Sequence, residues 1–261
     1  MIETGLVVIL WCAFALFCGG LIKGTLGVGT PLLAVPMMAL VLPPQVVITI
    51  MALPVVITNV WQAAQAPRGY NPVARQWPTA AGILLGTAIG TQILAVIDER
   101  PLLLIVGILV LCFTFLQASR FQLRIPTRFE KSAGVIFGST AGLIGGLSSM
   151  FGPVMILYLI AIENRNKERF VSLISFLYLA ATIPWAIQLY LSGLLRDEIL
   201  LYSAVAVVPV LIGMSIGRHL RARISEKRFN VLILGILILS GSTLIWRSLQ
   251  NTAPVLTAWH H

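Results

Sequence analysis

The amino-acid sequence predicts an all-α polytopic membrane protein of roughly eight to ten transmembrane helices or half-helices, at about 20 residues per crossing. They form two inverted-topology repeats, each opening with a Gly/Pro-broken helix hairpin. Three observations carry this reading. The 261-residue chain is 58% hydrophobic and 10% charged, whereas a soluble domain carries about 25% charged residues. Its second half repeats the first in the order of apolar runs and in several residues. Its basic residues gather in alternate loops, as the positive-inside rule requires.

Composition excludes most other function classes. A mean hydropathy of +0.94 supplies more apolar surface than a soluble core of this size can bury, and a bilayer absorbs the excess. The spans consume nearly the whole chain and leave no separate catalytic or binding domain. A net charge of +9 does not point to nucleic acid, because the basic residues lie in short loops between apolar runs. Cys12, Cys18 and Cys112 are odd in number and sit inside those runs, so they read as small core hydrophobes and not as a metal or disulfide set. Met1-Ile2-Glu3-Thr4 has neither a basic n-region nor an evident cleavage site, so the first run reads as a retained helix. The tail 251–261 ends in His260 and His261, which could be an expression-tag remnant, and it is set aside.

The first apolar run, Gly5 to Leu42, is interrupted at Lys23-Gly24-Thr25-Leu26-Gly27-Val28-Gly29-Thr30-Pro31. Runs from Gln45 to Ala66, Trp77 to Ile97 and Pro101 to Ser119 follow. These make up an N-terminal repeat, 1–119, and a basic linker, 120–131, divides it from a second repeat, 132–250. The second repeat reads Ser132 to Ile162, broken near Gly145 to Pro153, then Phe170 to Leu191, Ile199 to Gly217 and Phe229 to Trp246. Leu85-Gly86-Thr87-Ala88-Ile89-Gly90 parallels Ile212-Gly213-Met214-Ser215-Ile216-Gly217, Pro31 parallels Pro153, and Trp61 parallels Trp185. Internal repeats of this kind mark transporter folds.

Charge decides the orientation. With both termini outside and each broken segment entering and leaving on one face, Arg68, Arg75, Arg120, Arg124, Arg128 and Lys131 fall inside. So do Arg165, Lys167 and Arg169, and the set Arg218, Arg221, Arg223, Lys227 and Arg228. Pro43-Pro44, Asp98-Glu99-Arg100, Arg196-Asp197-Glu198 and Arg247 fall outside. Each loop of the first repeat then lies opposite its partner in the second, which is the inverted arrangement.

The broken segments hold the candidate site. The pieces after Pro31 and Pro153 are too short to cross a bilayer, and glycines followed by a proline cannot continue a regular helix. Each half is therefore expected to fold a helix hairpin, re-entrant or fully spanning, with the two tips meeting near the middle of the membrane. A helix beginning at Thr30-Pro31 or Gly152-Pro153 would aim unpaired N–H groups and a positive dipole end at its break, which suits an anion. Gly24, Gly27, Gly29 and Gly146 would open the backbone there, with hydroxyls from Thr25, Thr30, Ser148 and Ser149. The plainer reading is that the glycines, including the Gly138, Gly142, Gly146 row, only allow close helix crossing. Lys23 either adds a positive charge or snorkels to the surface. Asn59, Trp61 and Gln62, and in the other half Tyr178, Trp185 and Gln188, are candidates to line the path; helix–helix hydrogen bonds and interfacial anchoring are their ordinary uses.

All nine acidic residues lie in the N-terminal tail or loops, and His219 lies in a basic loop. A carboxylate relay is thus not expected, and neither is a metal or cofactor. Gly138-Ser139-Thr140-Ala141-Gly142 carries a serine, but a serine nucleophile needs a base, and no span contains one. An enzyme is not expected.

The stretch Gly20 to Pro36, Gly-x-x-Lys-Gly-Thr-x-Gly-Val-Gly-Thr-Pro-x-Leu-x-Val-Pro, resembles the first signature of the TauE/SafE family of sulfite-exporter-like membrane proteins. The stretch from Gly138 to Pro153, with its glycines and closing Gly-Pro, is similar to the second. The resemblance covers essentially the whole chain and implies transport of sulfite, an organosulfonate such as sulfoacetate, or a related anion across a bacterial inner membrane. Val28 and Thr30 stand where glycines are common, and Ser148-Ser149-Met150-Phe151 replaces part of the second glycine run; these departures bear on the substrate, not the fold. The expected function is a secondary transporter, exporting by alternating access around a midplane site. The alternative is a passive anion channel or a membrane-anchoring subunit. The expected partners are a small anion and the lipid bilayer.

Overall fold

The computed structural model describes residues 2–27, 29–66, 71–119, 123–163, 167–220 and 226–250. Of the residues used above, Val28, Arg68, Arg120, Arg165, Arg221, Arg223 and the tail 251–261 lie outside the described residues, as do the side chains of Glu3, Lys167, Glu226, Lys227 and Arg228.

Every element among the described residues is helical. They are α1 (Ile2–Leu26), α2 (Thr30–Met38), α3 (Pro44–Ile50), α4 (Ala52–Ala64), α5 (Pro72–Val96) and α6 (Glu99–Ser119), then α7 (Glu130–Ser148), α8 (Gly152–Ile162), α9 (Lys167–Leu191), α10 (Asp197–Leu220) and α11 (Glu226–Leu249). Seven stretches among them are long and apolar enough to cross a bilayer, with α3 and α4 counting as one, Pro44–Ala64. The protein is a multi-pass all-α membrane protein. Two of its apolar helices, α2 with 9 residues and α8 with 11, are too short to cross.

The predicted Gln45–Ala66 run is interrupted at Met51 for a local reason. Pro54 has no N–H to give the carbonyl of Ile50, four residues back. That carbonyl accepts instead from Ser203 Oγ at 2.8 Å.

The chain forms two compact units, and each draws on both halves of the sequence. The first comprises residues 1–51, 97–120 and 201–261; the second comprises 52–96 and 121–200. Thus α1, α2, α3, α6, α11 and nearly all of α10 belong to the first, and α4, α5, α7, α8 and α9 to the second. The sequence repeats and the compact units are different divisions of one chain.

Both units use the same packing device. In the second, α5 and α7 interlock through glycines four residues apart. Gly82, Gly86 and Gly90 lie on the backbone of Val135, Ser139 and Leu143, while Gly138, Gly142 and Gly146 lie on that of Thr79, Ile83 and Thr87. A Cβ at any of the six would collide with a facing carbonyl oxygen. In the first unit, Gly20 and Gly24 of α1 lie on Val210 and Met214 of α10, and Gly213 and Gly217 lie on Phe17 and Leu21. Lipid tails give apolar side chains no reason to turn inward, so close backbone approach through small residues supplies the packing energy. On the other face of α5, Leu84, Leu85 and Ile89 point outward, while Ile83 and Leu94 are buried.

Candidate functional site

In the first unit α1 ends where Gly27 turns left-handed, with φ 83°, and its N–H donates to Lys23 O at 2.8 Å. Gly29 is also left-handed, with φ 101°, and only glycine adopts two such positions cheaply. The chain then reverses. α2 returns antiparallel along α1, with Thr30 and Ala34 against Gly19 and Met37 O accepting from Trp11 Nε1 at 2.8 Å. Gly29 gives α2 no side-chain cap, Pro31 has no N–H, and Leu32 N donates to Gly29 O at 3.1 Å, so Thr30 N–H is the first-turn amide without an intrahelical acceptor.

The second break has the same anatomy. Gly20, Gly24 and Pro31 recur 122 residues later, as Gly142, Gly146 and Pro153, with Ser149 and Gly152 in the places of Gly27 and Thr30. Ser149 is left-handed, with φ 63°, and its N–H donates to Gly145 O at 2.6 Å, as Gly27 does to Lys23 O. α8 then starts without a side-chain cap and with its own early proline. The two ends of this hairpin meet, because Arg75 of α5 bonds through Nε to Glu130 at the start of α7 and through Nη1 to Glu163 after α8, both at 2.6 Å. The antiparallel hairpin expected from the broken segment is present in each unit.

The hydroxyls divide into two classes. Thr25 Oγ1 donates back to Leu21 O and Ile22 O of its own helix, each at 3.0 Å. Ser148 Oγ donates to Ile144 O at 2.6 Å and accepts from Met150 N at 3.3 Å. By contrast, Thr30 Oγ1 and Ser149 Oγ are buried with no hydrogen-bond partner among the described residues. Burying a hydroxyl unpaired costs about 1–3 kcal/mol, and these two lie at the breaks, whereas Thr87 Oγ1, likewise without a hydrogen-bond partner among the described residues, lies within α5.

The remaining candidates fall into place around the breaks or away from them. Lys23 is 7% exposed and does not snorkel to a surface. Gly24 and Gly146 serve the close helix contacts, so the plainer reading of the glycines holds for those two. Trp185 Nε1 donates to Gly146 O at 3.1 Å, and its ring meets Phe151 edge-on with centroids 5.7 Å apart. The Phe151 ring in turn covers Gly145. The hydroxyl of Tyr178 lies over Gly152, where α8 begins. On α9, Gln188 Oε1 is buried without a partner among the described residues, as is Ser175 Oγ. Asn59 of α4 is buried, Gln62 is half-buried, and Trp61 is exposed, which suits an interfacial anchor better than a lining residue.

Sequence reasoning missed Phe151, Gly145, Ser175 and the Arg75 cluster. Phe151 was legible only as a departure from a glycine run. Arg75 was legible only as an inside-facing charge.

Each break thus presents an uncapped, positively polarised helix end and a buried hydroxyl donor, and none of the described residues of either break is acidic. That chemistry fits a small anion. No curated protein and no solved structure matches the chain. A family model described as sulfite exporter TauE/SafE matches residues 12–244 and so spans both breaks; this is a family of membrane transporters and not of enzymes. The chain belongs to the sulfite exporter TauE/SafE family.

Proposed function

We propose that this protein exports a small sulfur-containing anion, sulfite or an organosulfonate such as sulfoacetate, across the bacterial inner membrane by alternating access. The observation that carries the proposal is the matched pair of breaks, each with an uncapped helix N-terminus and a buried, unpartnered hydroxyl at Thr30 or Ser149. The N–H groups and hydroxyls bind the sulfonate or sulfite oxygens, and buried Lys23 adds an amine donor at the first break. The inverted arrangement of the repeats and the outside placement of both termini are supported by the loop charges. Outward transport is supported by the membrane potential: a monovalent anion leaving a negative-inside cell gains about 2.3 kcal/mol per 100 mV, which removes the need for a coupled proton.

Purified protein reconstituted alone into liposomes is expected to give saturable sulfite or sulfoacetate flux, competed by the other anion and driven by an imposed potential. Flux that rises linearly with concentration would instead identify a channel, and no flux at all an anchoring subunit.

A further inference from the structure

Each half-helix ends on an arginine from a different part of the chain. The carbonyls that follow α2, Ala39 O and Leu40 O, accept from Arg247 Nη1 of α11 at 3.0 and 2.7 Å. At the end of α8, Ile162 O accepts from Arg75 Nη2 at 3.5 Å, and the Glu163 carboxylate accepts from Arg75 Nη1 at 2.6 Å. Arg75 also holds Glu130, through Nε at 2.6 Å and Nη2 at 3.2 Å. The two guanidinium groups lie in different units and reach their carbonyls across 208 and 87 residues of sequence, so local chain geometry does not account for the coincidence.

The electrostatics of a short helix give it a purpose. At 1.5 Å per residue, α2 and α8 are only about 14 and 17 Å long. The negative carbonyl end therefore lies near enough to oppose the positive end at the break. At α2 the cation of Arg247 offsets that opposition; at α8, where Glu130 and Glu163 both bind Arg75, the arginine acts by fixing where along its axis the helix sits.

We propose that Arg247 and Arg75 are positioning residues for anion transport, seating the C-terminal ends of α2 and α8 so that their N-terminal amides are held at the breaks. The proposal rests on the anion-transport reading above. The two arginines differ in a way that yields a test. Arg247 reaches both carbonyls from one nitrogen, which a lysine ammonium can reproduce. Arg75 spreads three nitrogens over three groups, which an ammonium cannot.

The test uses the full chain in two arms: hydrogen exchange in detergent, and sulfite flux in liposomes as a function of sulfite concentration. In R247Q the amides following α2 are expected to exchange at least fivefold faster and the KM for sulfite to rise about tenfold, with maximal flux within twofold of the parent. R247K should restore both. R75Q and R75K should each accelerate exchange at the end of α8 and raise KM, with no rescue by lysine. If R75Q does not fold, E163D takes its place, because it keeps the charge but shortens the reach to Arg75; its KM rise is smaller, about threefold. An unchanged KM in R247Q or R75Q despite faster exchange would overturn the proposal, as would an R247K that behaves like R247Q. If the parent chain carries no sulfur anion, the transport reading fails. The seating of the half-helices is then judged on exchange alone, and an exchange pattern without rescue by R247K overturns it.

Discussion

The two breaks share a backbone and differ in what fills them. Both end a glycine-packed helix on a left-handed residue and start a short helix without a side-chain cap. At the position where the first break carries Lys23, the second carries Gly145; where the first carries Gly29, the second carries Phe151. The ring of Phe151 lies on Gly145 and is braced by Trp185. One break therefore carries a buried lysine, and the other carries an aromatic wedge. The two breaks share a backbone geometry and differ in the side chains that surround it.

The shared part of the comparison breaks most severely at the glycines. Gly142→Leu and Gly213→Leu each force a large side chain against a facing carbonyl, a cost of about 3 kcal/mol or more. Both variants are expected to lose the monodisperse peak in size-exclusion chromatography. Survival of one but not the other would mean that the two units do not depend equally on this packing.

The difference between the breaks sharpens at Lys23. Lys23→Met removes the one amine side chain of the first break's described residues without adding bulk, and the sulfite KM is expected to rise about tenfold to a hundredfold. A KM within twofold of the parent would remove Lys23 from the binding site.

The hydroxyls give the smallest effect and the finest discrimination. Thr30→Ala and Ser149→Ala each forfeit one donor to the anion, about 1 kcal/mol or roughly a fivefold rise in KM. Thr25→Ala and Ser148→Ala remove hydroxyls that are already satisfied within their own helices, and KM should stay within twofold. Ser149→Gly separates backbone from side chain: it loses the hydroxyl like the alanine variant but relieves the left-handed strain, so it should melt higher than Ser149→Ala. Equal KM values across all five variants would show that the anion does not meet these side chains.

Much of this was legible in the residues. Gly27, Gly29 and Pro31 announce a break because two glycines and a proline cannot sustain a helix, and the structure turns left-handed at both glycines. The second break was legible only by its proline and its place in the repeat, because a serine gives no sign that it will take the left-handed position. Thr25 and Thr30 look alike in sequence. Only helix phase separates them, one bonding back to its own carbonyls and the other opening α2. The compact units were invisible, because each hairpin packs on a helix from the opposite half of the chain, and glycine rows do not name their partners. The arginine seats depend on contacts 87 to 208 residues apart, beyond any local pattern.

Trp185 gives the second break an optical reporter of its own. Its indole is fully buried, bonded to the last turn of α7 and edge-on to the wedge, whereas Trp61, Trp77 and Trp246 face outward. Any rearrangement that lifts Phe151 from Gly145 must alter the surroundings of that single ring. With the other five tryptophans replaced by phenylalanine, its emission would record conformational turnover in real time, with no label attached.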